Sequence, residues 1–427
     1  MNRRTPWHST VLNRIPGGRD GRRMLVVSII DKTGTGLWAG CTVLYLTYVS
    51  GLGLGQVGLL MTISGGVGIA GAPLAGRLAD RFPLVRVIVG AQLMRAAALL
   101  ALLSTDNFLL LTLYSALGAL PDRAGSVLIK LYAARLAGPD RVRYQAIQRT
   151  TVNIGWSIGG LGAAAALATG STHAYALLLV GNVLSYLVIA VLTLRCAEPP
   201  APSRIAAASE TAGDRTAATP ITPWRDRTFL AYTATDAALF LDDTILQVAI
   251  PLWIVHATAA PVGLAPLLLV LNTVLVVIFQ VPLARFGATA EAARRLLVPL
   301  AALFVVGTLA LAASAAGGRA LAITALVVAV IALTFAEIVH ATSSWELSVA
   351  LAPAEAQGAY LGAHGLAQST QRFAGPLLVT GVMTAGALAW PLLGLGLVAA
   401  GAAQHRLIRD RIGKPSLSVA PVTVSEH

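Results

Sequence analysis

Charge is what this sequence has least of. Only 12% of its 427 residues are Asp, Glu, Lys or Arg, about half the share that soluble domains carry. With a mean hydropathy of +0.73, a water-facing surface cannot be covered, and a soluble globular domain is excluded. Cysteine is nearly missing too: Cys41 and Cys196 are the whole complement, which supports neither a disulfide framework nor a cysteine metal centre. No Gly-x-x-x-x-Gly-Lys-Ser/Thr loop occurs, so nucleotide hydrolysis is not the direct energy source. Alternating segments of about ten residues, the mark of a membrane β-barrel, are also lacking.

What is present is a series of long apolar runs, and a bilayer-spanning helix needs about 20 such residues. Runs fall at about 24–50, 57–75, 87–105, 107–136, 144–168 and 172–194, then at 228–256, 262–284, 296–317, 320–351, 358–384 and 386–404. The expected fold class is an all-α membrane protein with twelve transmembrane helices in two six-helix pseudo-repeats. Its expected divisions are a tail at 1–23, a bundle at 24–194, a linker at 195–227 rich in Pro, Ala, Ser and Thr, a bundle at 228–404 and a tail at 405–427. The basic start before the first run resembles a secretory leader, but Asp31 and Lys32 interrupt the run, so it is read as a retained span.

The net charge of +12 in a soluble protein points to nucleic acid. Here the positive residues sit in loops and tails, and no nucleic-acid partner is expected. Six Arg precede residue 24; Arg77, Arg81, Arg86, Arg141, Arg143, Arg285, Arg294 and Arg295 lie in alternate loops, with further basic residues in the linker and the C-terminal tail. The loops of the other side hold Arg319 alone. Positive loops stay inside, so both termini are expected in the cytoplasm, with the chain in a bacterial cytoplasmic membrane. The halves also share a register. Arg23 precedes a span with Asp31, Arg227 precedes one with Asp236, and the next basic loops begin 46 and 49 residues beyond those aspartates.

The stretch GRLADRFPLVR, residues 76–86, places four charges between two apolar spans. Through Gly76, Leu78, Ala79, Asp80 and Arg81 it resembles the signature loop of the major facilitator superfamily, with Pro83 and Leu84 in place of the usual Gly and Arg and Arg86 as a displaced charge. Pro353, Gly358 and Gly362 resemble that superfamily's entry into span eleven, and NIGWSIGGLG (153–162) is similar to the glycine-rich fifth span of its drug-exporter branch, without the usual Gly-Pro pair. The resemblance implies the major facilitator fold, a central cavity lined by spans one, four, seven and ten, and a loop in which Gly76, Asp80, Arg81 and Arg86 latch one conformation. Ser64, Gly68, Ala72 and Gly76 also recur every four residues, a small-residue ridge that lets helices approach closely.

Ionisable groups within spans are costly and face the protein interior or a water-filled cavity. They are Asp31 and Lys32 in span one, Arg95 in span three, Asp122, Arg123 and Lys130 in span four, Asp236, Asp242 and Asp243 in span seven, Glu337, His340 and Glu346 in span ten, and Arg372 in span eleven. Spacings of seven and four put Asp236, Asp243 and Gln247 on one helical face. Glu337, His340 and Ser344 form a second stripe, and His364, Gln368 and Arg372 a third; Pro121 is expected to kink span four. His340 lacks a second ligand at metal-binding spacing, so no metal is expected, nor any cofactor. The candidate proton-coupling or cargo-cavity residues are Asp31, Asp122, Arg123, Lys130, Asp236, Asp243, Glu337, His340 and Arg372.

Together these readings describe a non-enzyme: a monomeric secondary transporter whose partners are a small-molecule substrate, protons and the lipid bilayer. Proton-coupled export of a small organic compound is the leading expectation. An importer or facilitator is the alternative, and a receptor or scaffold without transport a third class. The acids of span seven lean towards cationic or zwitterionic cargo, while Arg123, Lys130 and Arg372 offer sites for an anion.

Overall fold

The computed structural model describes residues 15–168, 172–200, 222–261 and 263–412, and the described chain is helical throughout its length, with no strand. Parts of the expected linker, residues 201–221, and of both tails lie outside the described residues. The N-terminal half comprises α1 (Gly18–Leu44), α2 in two pieces (Leu54–Ile69 and Gly71–Arg81), α3 (Leu84–Leu103), α4 (Phe108–Ala137), α5 (Arg141–Ala168) and α6 (Thr172–Leu194). The C-terminal half comprises α7, assembled from Arg227–Leu239, Leu241–Thr244, Ile245–Ala249 and Ile250–Ala257, then α8 (Leu264–Ala284), α9 (Leu297–Ala313), α10 (Arg319–Ala350), α11 (Gln357–Thr384) and α12 (Ala389–Ile412). Among the described residues, seven stretches are long and apolar enough by length and composition to cross a bilayer.

The helices extend past the apolar runs at both ends of the chain. α1 begins at Gly18, inside the stretch read as a tail, and α12 continues to Ile412. α4 runs through Pro121 without interruption. Ends are set by recognisable local chemistry. Asn107 caps α4, accepting from the N–H groups of Leu109 and Leu110 at 3.0 and 3.3 Å, and Gly138, at φ +51°, takes the left-handed turn into α5 that a residue with a Cβ resists. Asp226 caps α7 through the Phe229 N–H at 3.0 Å and also pairs with Arg411 of α12 at 2.7 Å. Burial opposes its ionised form, but Arg411, the Phe229 N–H and the Tyr360 hydroxyl outweigh that and hold the acid below its ordinary range.

Each half has its own core. One packs Leu46, Ile88, Leu111, Leu128, Tyr132 and Ile189; the other packs Phe229, Ile245, Trp253, Phe304, Leu333 and Trp390. A smaller cluster, with Leu25, Val142, Tyr144, Ala284 and Trp345, joins the two at the end where the chain starts and finishes. Outward faces carry large apolar side chains such as Leu161, Leu177, Leu377, Leu388 and Leu392, each more than two-thirds exposed. In water such a surface is untenable; in a bilayer it is the required one.

The glycines of α5 explain how α1 and α5 meet. A Cβ on Gly159 would lie 2.3 Å from the Thr33 carbonyl oxygen, and one on Gly155 would lie 2.8 Å from that of Ile29. These glycines therefore serve close backbone packing inside the N-terminal half.

Candidate functional site

Three groups of buried charges organise the interior. The first ties the N-terminal half together. Arg95 of α3 donates to Asp31 of α1 at 2.5 Å and to Asp122 of α4 at 2.9 Å, while its guanidinium lies over the Tyr186 ring of α6, 4.2 Å from the centroid. Lys32 adds a second cation to Asp31 at 2.9 Å. The sequence set Arg95 apart from the other charges; the fold makes it the hub of four helices. Asp122 remains partly open towards a chamber of about 290 Å³ within this half, lined by Trp38, Ser64, Tyr114, Ser115 and Arg123 among others.

The second group lies in the C-terminal half. His340 of α10 stands between two carboxylates of α7, its Nδ1 2.9 Å from Asp242 and its Nε2 3.3 Å from Asp236. Asp236 also accepts from Ser344 of α10 at 2.7 Å and Gln404 of α12 at 3.0 Å, and lies 2.8 Å from His364 Nε2 of α11. Both His340 contacts are hydrogen bonds only when two protons lie between the ring and its acids. Asp236, Asp242 and His340 are essentially shut off from solvent, so this network fastens α7, α10, α11 and α12 as one body.

Here the structure departs from the expected seven-residue face. The helix is interrupted at Phe240, which rotates the turns beyond it. Asp242 therefore joins Asp236 at His340, while Asp243 turns aside to accept from Gln247 at 2.5 Å. The stripe on α10 divides as well. His340 and Ser344 face Asp236, whereas Glu337 faces the other half.

The third group spans the seam between the halves. Arg149 of α5 donates to Glu337 at 2.5 Å, and Asn272 of α8 donates to the other oxygen of that carboxylate at 2.9 Å. Arg141, at the start of α5, grips Glu346 of α10 with two bonds of 2.8 and 2.6 Å. Lys130 of α4 lies 5.0 Å from the Trp345 ring centroid, also across the seam. Arg149 was not singled out in the sequence, although it is the one basic residue of α5 beyond its first turn. Its signal was position: an Arg two turns into an otherwise uncharged span.

Asp80 completes the seam. It accepts from the backbone N–H groups of Gly358 and Ala359 at 2.9 and 2.7 Å, capping the N-terminus of α11 from the opposite half, where the helix dipole favours an anion. Arg135 of α4 steadies it from its own half at 3.5 Å. Arg81 and Arg86 are exposed at the surface. The small-residue ridge is the means of approach: a Cβ on Gly76 would sit 2.1 Å from the Gly358 carbonyl oxygen, and one on Gly362 would sit 2.7 Å from that of Ala72.

Beyond this seam, roughly 21 Å along α11 at 1.5 Å per residue, a second cavity of about 330 Å³ lies between the halves. Arg123 and Arg372 face it from opposite sides, with Thr62, Ser369 and Phe373. The halves are thus drawn together at the end bearing the termini and leave a charged cleft near the middle of the bundle.

Two pseudo-equivalent six-helix bodies meeting at a glycine seam, each stitched by its own buried charges, define a membrane-transporter architecture. The description "Major Facilitator Superfamily" matches residues 29–376, and the chain belongs to that superfamily. Among solved structures, a bacterial homologue of the iron transporter ferroportin in its outward-facing state is 15% identical, with a TM-score of 0.68 over 91% of this chain and 98% of that one. The proton:xylose symporter XylE is 14% identical, with a TM-score of 0.67 over 92% and 96%. The human organic anion transporter MFSD10 is 15% identical, with a TM-score of 0.61 over 92% and 100%. At these identities the likeness is one of fold. No curated relative matches the sequence.

Proposed function

We propose that this chain is a proton-coupled secondary transporter of a small organic compound, working by alternating access. The observation that carries the reading is the Arg149–Glu337 ion pair. It joins the two bodies by a bond that a proton can cancel, and Asp243 lies within electrostatic reach of both this pair and Arg372 of the cleft. Protonating Glu337 takes from the partly buried Arg149 its one direct ion-pair partner among the described residues, an unfavourable change that separation of the halves relieves by admitting water. Asp243, within electrostatic reach of Arg149 and Glu337, is a second acid that a proton can discharge there. Export is the direction supported by the likeness of α5 to the exporter branch. Cotransport into the cell is the second reading, favoured by the cations that face the cleft.

In sealed proteoliposomes holding a pH-sensitive dye, a transported compound should discharge an imposed pH gradient. Vesicles of known orientation should reveal the direction. Protein that moves neither protons nor labelled cargo in either orientation would be a receptor or scaffold instead.

The orientation proposed is cytoplasmic for both termini, in a bacterial cytoplasmic membrane. Single cysteines replacing Leu54 or Thr172, in a chain without Cys41 and Cys196, should react with an impermeant thiol reagent added outside intact cells. A cysteine within 205–215 should react only after lysis. Labelling of that segment from outside would reverse the assignment.

A further inference from the structure

We propose that the cleft takes an organic anion, its acidic head between Arg123 and Arg372 and its apolar body in the chamber of the N-terminal half. The proposal rests on the transporter reading and adds the class of cargo. Its first ground is the balance of charge. Arg95 is met by Asp31 and Asp122, Arg141 by Glu346, Arg149 by Glu337, and Asp236 and Asp242 by His340. Among the described residues this leaves the two cleft cations, Arg123 and Arg372, without an ion pair, while Lys130 lies against the Trp345 ring and within electrostatic reach of Asp236. Two acids lie within electrostatic reach of these arginines, Asp122 of Arg123 and Asp243 of Arg372, but Asp122 is paired with Arg95 and Asp243 is engaged by Gln247. The local balance is therefore positive, opposite to what the acids of α7 imply when counted along the chain.

The second ground is geometric. Arg123 and Arg372 come from opposite halves, line the same cavity and repel each other. Like charges held together in a low-dielectric cleft favour an anion between them, and a guanidinium pair suits the two or three oxygens of a carboxylate, sulfonate or phosphate head. The third ground is continuity. Arg123, Met61 and Gly65 line both this cavity and the neighbouring chamber. That chamber is walled mainly by apolar groups such as Trp38, Leu60, Leu99 and Leu102, and its volume suits a body of about one or two rings. The hydroxyl of Ser64, which lines the chamber, is buried without a hydrogen-bond partner, a donor and acceptor that a ligand can satisfy.

Proton coupling is a consequence for such cargo. Asp243 competes for Arg372 and lies within electrostatic reach of Glu337, Asp242 and Arg149 as well. Adding a proton there removes a negative charge and strengthens the site for an anion, so proton and cargo bind together, and for such cargo cotransport into the cell is favoured over export.

The test needs no knowledge of the natural cargo. In a chain lacking Cys41 and Cys196, Thr62→Cys places a thiol in the cleft. Its rates with an anionic sulfonatoethyl and a cationic trimethylammonioethyl methanethiosulfonate are compared, each scaled to a free thiol. The anionic reagent should be favoured on the order of tenfold, the enrichment that a focused field produces, and Arg123→Gln or Arg372→Gln should erase most of it. 2-Naphthoate should protect the thiol, while 2-naphthylmethylammonium, the same body with the opposite head, should not. A scaled ratio at or below one, or one unchanged in both arginine variants, overturns the proposal. A flat ratio in protein that still transports with a pH gradient leaves the transporter reading standing. A high ratio in protein that moves nothing removes that reading and keeps the anion site.

Discussion

Gly76→Ala should leave the protein folded yet unable to close at the end that bears its termini. Alanine is the better helix former by roughly 0.5–1 kcal/mol, so helix propensity alone predicts stabilisation. The added methyl, however, has nowhere to go. It would stand 2.1 Å from the Gly358 carbonyl oxygen and 3.1 Å from the Gly362 Cα, and backbone atoms cannot swing aside as a side chain does. The seam must part, and with it go the two bonds from α11 to Asp80. Charge-assisted bonds of this kind contribute about 1.5–3 kcal/mol each, so parting them shifts the balance between the two conformations by at least tenfold. Distance probes on Arg143→Cys and Ala354→Cys should report a longer separation and a depleted closed population. Gly66→Ala is the control, since a Cβ there meets nothing within 4 Å. An unchanged distance distribution in Gly76→Ala would show that the seam is not what sets the closed state.

Glu337→Gln should abolish accumulation against a gradient while sparing exchange of labelled for unlabelled cargo. The amide keeps the size of the side chain and its contact with Asn272, but it can neither balance Arg149 nor carry a proton. Removing one partner of a fully buried pair costs about 3 kcal/mol or more; with the Arg149 side chain 27% exposed, solvent screens part of this and leaves about 1.4 kcal/mol, roughly tenfold in the ratio of closed to open forms. Exchange needs only the rocking of an occupied site, so it should continue. Arg149→Met with Glu337→Gln restores a neutral seam and should recover the closed population without recovering proton-driven accumulation. Uphill transport by Glu337→Gln at the wild-type rate would move the coupling acid elsewhere, with Asp243 and Asp31 next to be tested by the same measurement.

The fold was legible in the sequence because hydropathy and loop charge are local quantities. Apolar runs near 20 residues and basic residues in alternate loops need no knowledge of which helix touches which. Asp80 was legible for a similar reason, standing out against apolar surroundings in a motif of fixed spacing. The pairing of interior charges was not. Asp31, Arg95 and Asp122 are 64 and 27 residues apart along the chain, and spacing on one helix says nothing of partners on another. Asp243 was assigned to the face of Asp236 by a rule that holds only while the helix is regular, and the interruption at Phe240 breaks it. Arg149 was overlooked because its meaning lies in the opposite half, at Glu337.

The seam of Gly76, Gly358 and Gly362 has one more implication. Interlocked side chains can slide, exchanging one set of contacts for another through a graded series of rotamers. A seam of bare backbone has no rotamers to exchange. Its attraction falls away within about an ångström of separation, and the Asp80 hydrogen bonds lapse over the same distance. Where the glycines meet, no graded series of packings lies between shut and parted. In the alternating-access cycle proposed, the glycine contact would therefore make and break abruptly, while the side-chain cluster and ion pairs beside it would yield gradually.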